Sequence, residues 1–387
     1  MNKIKIFLIA GEPSGDVLGG KLIAAIKKQL GNTKEIELLG VGGPKMEEQG
    51  LKSIFSINQL SLMGFAEILP HIPKLLNLIN NTANLIIQEQ PDLVITIDAP
   101  DFCFRVIKKI KKNPAADKIK KIHFIAPTVW AYRPGRAKKI ANLFDLLLVI
   151  LPFEPPYFER HGLKTIFIGH PIVEDVIKSE GTDFRIRHKI KTDDILICLT
   201  PGSRSGEVKR ILPEMIGAIN ILAKKYHNLK VAIPALDKTY EIIKEHLAEF
   251  KVGTILTNKS EKNEIFYASN FAIAKSGTNT IELAIAKLPM IVVYRANYLT
   301  YSIIKLLSKV KFANLINLIL NKEIIPEMIQ PNCKAEKLAK KLDILISNPN
   351  AGEKQITESE PALKLLGLGS EQKSSDKAAK AILELIN

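Results

Sequence analysis

Residues 3–16 read Lys3-Ile-Lys-Ile-Phe-Leu-Ile-Ala-Gly-Glu-Pro-Ser-Gly-Asp16, and a helical pattern over 15–30 follows. The first eight positions are β-prone and nearly all apolar, without strict alternation. A strand of that kind is buried on both faces, as in a parallel sheet covered by helices on either side. The same unit recurs down the chain. Strand-like runs are expected at 35–41, 92–98, 121–126, 146–151 and 165–168, with helical patterns at 75–89 and 102–112. The pattern then restarts with Ile195-Leu-Ile-Cys-Leu-Thr-Pro-Gly-Ser-Arg204 and a long helical stretch over 206–226. Further strands are expected at 230–234, 254–256, 271–275 and 290–294, with a helix over 278–286. The polar stretch 169–193 reads as the linker region. The expected architecture is α/β: two Rossmann-like domains, 1–170 and 171–346, facing across a cleft. Residues 347–387 read as a loop rich in Gly, Ser, Glu and Lys, then a helix over 377–386 packing back on the domains.

Composition narrows the function. The chain has 387 residues, 46% hydrophobic and 25% charged, which is ordinary globular usage. Lys and Arg number 55 against 40 Asp and Glu, a net charge of +15. Such a surplus either decorates a solvated surface or attracts anions: phosphate ligands, an anionic membrane, or nucleic acid. Nucleic acid is disfavoured, because aromatics are only 6% of the chain. The cysteines, Cys103, Cys198 and Cys333, are too far apart for a CxxC motif, which suits a reducing compartment. The N-terminal apolar run is too short for a signal-peptide core. No stretch reaches the ~18 apolar residues of a membrane span; the richest, 143–153, is interrupted by Asp145 and Pro152. HExxH, GxSxG, Asp-x-Asp and Walker A patterns are absent. No metal ligands and no cofactor are expected. His170, in Gly169-His-Pro171, reads as a packing residue.

In open α/β sheets ligands bind beyond the carboxyl ends of the strands, and five strand-end loops carry the candidate chemistry. In Gly11-Glu-Pro-Ser-Gly-Asp16, Gly11 and Gly15 permit tight turning and Ser14 is placed to cap the next helix. In Asp98-Ala-Pro-Asp-Phe102, Asp98 is the candidate general base and Asp101 a helix cap. The loop 126–136 holds the single Trp, Trp130, with Tyr132, Arg133 and Arg136. It reads either as an aromatic and cationic sugar-phosphate surface or as a packed Trp beside surface arginines. Thr200-Pro-Gly-Ser-Arg-Ser-Gly-Glu-Val208 makes an anion cradle from Gly202, Ser203 and Arg204. Lys275-Ser-Gly-Thr-Asn-Thr-Ile-Glu282 repeats the idea. Ser276, Gly277 and Thr278 offer donors to a diphosphate, and Glu282, one turn further, can accept from ribose hydroxyls. Two cradles in one half point to a nucleotide diphosphate.

Taken together these loops resemble the lipid-A-disaccharide synthase family, glycosyltransferases of the two-domain B-type fold. The resemblance spans essentially the whole chain and rests on nine segments in order: Gly11-Glu-Pro-Ser-Gly-Asp16, Gly40-Val-Gly-Gly-Pro44, Leu62-Met-Gly-Phe65, Ile97-Asp-Ala-Pro-Asp-Phe102, Pro127-Thr-Val-Trp-Ala131, Leu151-Pro-Phe-Glu154, Phe167-Ile-Gly-His170, Pro201-Gly-Ser-Arg204, and Ser276-Gly-Thr278 with Glu282. It implies transfer of 2,3-diacylglucosamine from its UDP conjugate to 2,3-diacylglucosamine 1-phosphate. The products are a β-1,6-linked disaccharide 1-phosphate and UDP. The first domain would then take the acceptor and lipid, the second the UDP-sugar. Asp98 would deprotonate the acceptor's 6-hydroxyl. Arg204, Ser276, Gly277 and Thr278 would stabilise departing UDP. Asn317 matches a polar family position near the cleft, with Glu12, the second catalytic candidate, and Ser14 facing it. The chain departs from the family at Pro13 and at Cys103, where a polar residue such as Asn is usual.

Acylated substrates imply contact with a bilayer. The segment 60–79 is the candidate: Leu62, Met63, Phe65, Ile68 and Leu69 lead an apolar run interrupted by Pro70 and Pro73. It reads as a broken, partly exposed membrane-contact element, or as residues packed on the first sheet. The resemblance places the protein in the cytoplasm, peripherally on the inner face of a Gram-negative inner membrane. The alternatives are a UDP-sugar 2-epimerase, another lipid-linked transferase of the same fold, or a non-enzymatic lipid-binding protein.

Overall fold

The run of apolar residues from Ile6 to Ala10 in the first strand is explained by two covered faces. In the computed structural model, which describes residues 3–31, 33–61, 68–132, 134–175, 179–297, 301 and 310–386, β1 is Lys3–Ala10. Ile4, Ile6, Leu8 and Ala10 pack with Leu22, Ile23 and Ile26 of the helix Pro13–Leu30. Phe7 and Ile9 point the other way, into a core with Phe102, Val106 and Ile107 of the helix Pro100–Ile110. Each of the Ile, Leu, Val and Phe side chains contributes roughly 1.5–3 kcal/mol on burial.

The described residues form two compact units: Met1–Glu174 with Gly369–Asn387, and Asp175–Leu368. In the first unit, β2 (Glu35–Val41), β3 (Lys52–Ser53), β4 (Leu93–Ile97), β5 (Lys120–Phe124), β6 (Leu146–Val149) and β7 (Lys164–Phe167) join β1 in a parallel sheet ordered β3-β2-β1-β4-β5-β6-β7. In the second unit, β8 (Ile195–Thr200), β9 (Leu229–Ala235), β10 (Gly253–Asn258), β11 (Phe271–Lys275), β12 (Met290–Tyr294) and β13 (Glu327–Ile329) form a parallel sheet ordered β10-β9-β8-β11-β12-β13. Chain order reverses between β1 and β4 in one sheet and between β8 and β11 in the other. These are the two topological switch points.

Three expectations differ from the structure. The linker stretch is partly folded: Thr182–Arg187 is a helix of the second unit, where the Arg185 guanidinium donates to the Ala268 and Asp194 carbonyls at 2.7 Å each. The loop expected after 347 is instead the helix Pro349–Leu365, fixed by Gln355, whose amide bonds both the N–H and the C=O of Met290. Pro70 and Pro73 do not break their element: Ile68–Glu89 is one helix. The last helix, Ser374–Leu383, returns to the first unit. It buries Ala378, Ala381 and Ile382 in the core of that unit, and Glu174 accepts from the Ser375 N–H at 2.6 Å.

Candidate active site

The loops after β1 and β4 meet at the first switch point. Gly11 has to be glycine there: a Cβ at this position would stand 2.3 Å from the Ala99 Cβ. Glu12 is extended and exposed at the head of the helix Pro13–Leu30, and its side chain makes no capping bond. Ser14 does not cap that helix as expected. It lies inside the first turn, exposed, because Pro13 already takes the first helical position. Gly15 is buried against Ala10 and the Ile97 carbonyl.

Asp98 and Ala99 both adopt left-handed backbone conformations, with φ of 50° and 43°. The Asp98 N–H donates to the Phe124 carbonyl at 2.9 Å, and the Ala99 carbonyl accepts from the N–H groups of Phe102 and Cys103. Asp98 is half-buried, and burial pushes its carboxyl above the ordinary carboxylate range against the pull of the Ala99 N–H. A carboxylate so raised is a better proton acceptor. Asp101 does not cap the following helix; it is an exposed residue of the first turn, 3.8 Å from Arg136. Cys103 is wholly buried in the core and presents nothing to the site.

Trp130 is fixed. Its Nε1 donates to Glu154 Oε1 at 3.1 Å and its ring meets Phe153 edge-on, centroids 5.2 Å apart. Only its ring surface remains for a ligand. Glu154 is 1% exposed and also accepts from the N–H groups of Ile150 (3.2 Å) and Leu151 (2.9 Å). Burial nonetheless pushes its carboxyl up to about 7. His170 is buried, held neutral with a pKa lowered to about 4, and its Nδ1 accepts from Ile172; it packs, as expected. Arg133 lies outside the described residues, as do Leu62, Met63 and Phe65, and the side chains of Ile68 and Leu69 with them.

The loops after β8 and β11 meet at the second switch point, tied by Asn279 Nδ2 donating to Thr200 Oγ1 at 2.7 Å. Gly202 has φ 130°, and a Cβ there would press on Glu207. Glu207 folds back into the loop: it accepts from the Ser203 N–H at 3.3 Å and pairs with Lys275 at 3.1 Å. Arg204 stands out, its side chain 85% exposed. Gly277 and Thr278 donate no backbone hydrogen bond to a described residue. Glu282 is half-buried, with one oxygen 2.5 Å from Lys262 Nζ.

Two expected contacts are not available. The Ser276 N–H donates to the Val293 carbonyl (2.9 Å) and its hydroxyl to the Ala313 carbonyl (2.7 Å), so neither donor is left for a diphosphate. Asn317 is wholly buried: its amide donates to Ile325 and Glu327 and accepts from the N–H groups of Ile324 and Ile325. It locks the approach to β13 rather than touching a ligand. Sequence reasoning in turn missed Asp16, which accepts from the N–H groups of Gly43, Lys45 and Met46 at 2.8–3.0 Å and so fixes the loop after β2. It also missed Lys262, Lys275 and Glu207. For Asp16, Lys275 and Glu207 the available signal was an acid or base beside a strand-end glycine turn; Lys262 carried none.

Two Rossmann-like units, each presenting a pair of loops at its switch point, define the B-type glycosyltransferase architecture. Solved structures with this fold include a UDP-GlcNAc 2-epimerase from Neisseria meningitidis bound to UDP-GlcNAc (TM-score 0.59, 15% identity, covering 100% of this chain and 99% of that one). A glycosyltransferase from Rickettsia africae is similar (TM-score 0.57, 16% identity, 100% and 98% covered). The family model described as lipid-A-disaccharide synthetase matches residues 6–383. The chain is 42% identical over 388 residues to the lipid-A-disaccharide synthase of Rhodospirillum centenum, covering 100% of this chain and 96% of that one. It is 44% identical over 380 residues to that of Rickettsia felis, covering 98% and 95%. The chain belongs to the lipid-A-disaccharide synthetase family and is a glycosyltransferase of lipid A biosynthesis, as the nine segments implied.

Proposed function

We propose that the protein transfers 2,3-diacylglucosamine from UDP-2,3-diacylglucosamine to the 6-hydroxyl of 2,3-diacylglucosamine 1-phosphate. The observation that carries this reading is Asp98: a half-buried carboxyl with raised proton affinity, held in left-handed backbone at a switch point. Asp98 takes the hydroxyl proton as that oxygen attacks the donor's anomeric carbon. The bond from that carbon to the UDP oxygen breaks, and UDP leaves with the electron pair. A single displacement inverts the anomeric centre and gives the β-1,6 linkage. In the second unit Ser203, Arg204, Gly277 and Thr278 are the donors for the diphosphate, and the free oxygen of Glu282 meets the ribose. Glu12, Ser14 and the ring of Trp130 line the acceptor side.

The substrates' acyl chains call for a bilayer surface. No helix of the described residues is long and apolar enough to cross a membrane. Peripheral attachment through residues 60–79 to an anionic inner-membrane face is therefore our reading. Support comes from the helix Ile68–Glu89, in which no residue from 73 to 78 is buried and Leu76 is 44% exposed. The test is to incubate the purified protein with both substrates and determine product mass and linkage. A β-1,6 disaccharide 1-phosphate is expected, with turnover falling about 10²–10⁴-fold in Asp98→Asn. Sugar isomerisation or UDP release without acceptor would overturn the reading in favour of an epimerase. Unchanged turnover in the variant would remove Asp98.

A further inference from the structure

The helices Pro100–Ile110 and Arg136–Ala141 follow neighbouring strands, β4 and β5. Between them lies a pocket of about 250 Å³ that none of the roles assigned above uses. It is smaller than the roughly 300–1,000 Å³ of sites that enclose a whole drug-sized ligand, and fits a head group. Its floor is apolar, from Phe104, Ile140 and Leu143, and its rim carries Arg105, Lys108, Arg136 and Lys139 against one acid, Asp101. The spacing creates this. Asp101, Arg105 and Lys108 share one face of the first helix; Arg136 and Lys139 share one face of the second. Arg136 stands 3.8 Å from Asp101. Arg105, Lys108 and Lys139 have no hydrogen-bond or ion-pair partner among the described residues. Like charges so crowded repel one another, and an anion between them relieves that. Two guanidiniums match the oxygens of a phosphate.

Position says which molecule brings the anion. The pocket starts at Pro100, two residues beyond Asp98 at the carboxyl edge of the same sheet, and runs between the two helices as far as Lys108 and Leu143. We propose that it is the subsite for the phosphomonoester of the acceptor sugar, the group that fixes which end of that sugar faces Asp98. The proposal rests on the transferase reading given above. Its chemistry, a phosphate among cations, is shared by the head groups of anionic lipids, so the test separates the two sources.

The experiment compares kcat/KM for 2,3-diacylglucosamine 1-phosphate and for the same acceptor without its phosphate, in wild type and in Arg105→Gln/Lys139→Gln. Both residues are exposed, and thermal melts check that folding is intact. The wild-type preference for the phosphorylated acceptor should shrink about 10–100-fold in the variant, the usual worth of charge-assisted hydrogen bonds. Co-sedimentation with phosphatidylglycerol vesicles should not change. An unchanged preference in a productive enzyme overturns the subsite alone, and vesicle release in its place assigns the pocket to a lipid head group. An equal loss on both acceptors also overturns it. Wild-type protein that makes no disaccharide overturns the transferase reading, and the subsite with it.

Discussion

Replacing Glu154 with Gln should remove a pH dependence that wild type possesses. Three N–H groups favour the ionised carboxylate, yet burial outweighs them and sets the pKa at about 7. In the unfolded chain the group ionises near its ordinary 4.5. Between those values the folded protein holds a proton that the unfolded chain has released. Stability therefore falls as pH rises through this window; nothing is lost below it, and the full loss is present above it. The gap between 4.5 and about 7 corresponds to about 3 kcal/mol. That is about 6–12 °C in melting temperature for a unit of this size. The glutamine of the variant has no proton to lose. Its amide oxygen can take the two backbone donors, which turns its NH₂ toward Trp130 Nε1 and strands that donor, a loss of about 1–3 kcal/mol at every pH. The variant should thus be the less stable protein at pH 5 and draw level with wild type or pass it by pH 8. Thermal melts from pH 5 to 8 measure this. Trp130 is the single tryptophan of the chain, so its fluorescence gives a second readout, titrating near pH 7 in wild type and flat in the variant. A stability gap that stays constant from pH 5 to 8, with no fluorescence titration, would refute the reasoning.

Gly11→Ala should destabilise the first unit by about 1–3 kcal/mol through its clash with Ala99 and slow turnover by displacing Asp98. Adding Ala99→Gly should restore most of both, and a double-mutant cycle of melts and rates without coupling would dismiss that contact. Asp16→Ala leaves three backbone N–H groups without their acceptor and should cost at least about 3 kcal/mol by denaturant titration. Arg204→Ala and Glu282→Ala should each weaken UDP binding in calorimetry, and unchanged affinity in both would move the nucleotide elsewhere. Leu62→Ser with Phe65→Ser, or raised salt, should release the protein from anionic vesicles while UDP still binds. Sedimentation unaffected by either would end the membrane assignment.

Where burial alone decides the structure, the sequence was sufficient. β1, β8, β11 and β12 are apolar on both faces and were legible end to end. β3 is two residues, Lys52–Ser53, and β13 three, Glu327–Ile329; no periodicity is readable over such lengths. Gly352, Ser359 and Pro361 disguised the helix Pro349–Leu365, whose place is set by Gln355 reaching the β12 backbone. The site divides along the same line. Strand-end position placed Asp98, Arg204 and Gly277 in the loops at the two switch points, where the fold leaves them. It could not reveal which polar atoms the fold itself consumes. Ser276 and Asn317 looked like ligand contacts, but their partners lie 37 and up to 10 residues away and become visible only after folding. Glu207 and Lys275 meet only because β8 and β11 are neighbours.

The first switch point concentrates backbone strain beside the proposed general base. Asp accepts left-handed backbone with little strain, but Ala does not, at about 1–2 kcal/mol for such a residue. Both occur in succession at Asp98 and Ala99. Three things hold them there: the Phe124 carbonyl takes the Asp98 N–H, the next helix donates two N–H groups to the Ala99 carbonyl, and Gly11 leaves room for the Ala99 methyl. A residue larger than glycine at 11, or a strand that ran straight on past Ile97, would remove one of these supports. The turn ends β4 at the sheet edge and leaves the Asp98 carboxyl half-buried, enough to raise its proton affinity yet still open to solvent on one side. Local strain, a missing side chain and a perturbed carboxyl are thus one arrangement, and together they favour a proton acceptor over a structural aspartate at this position.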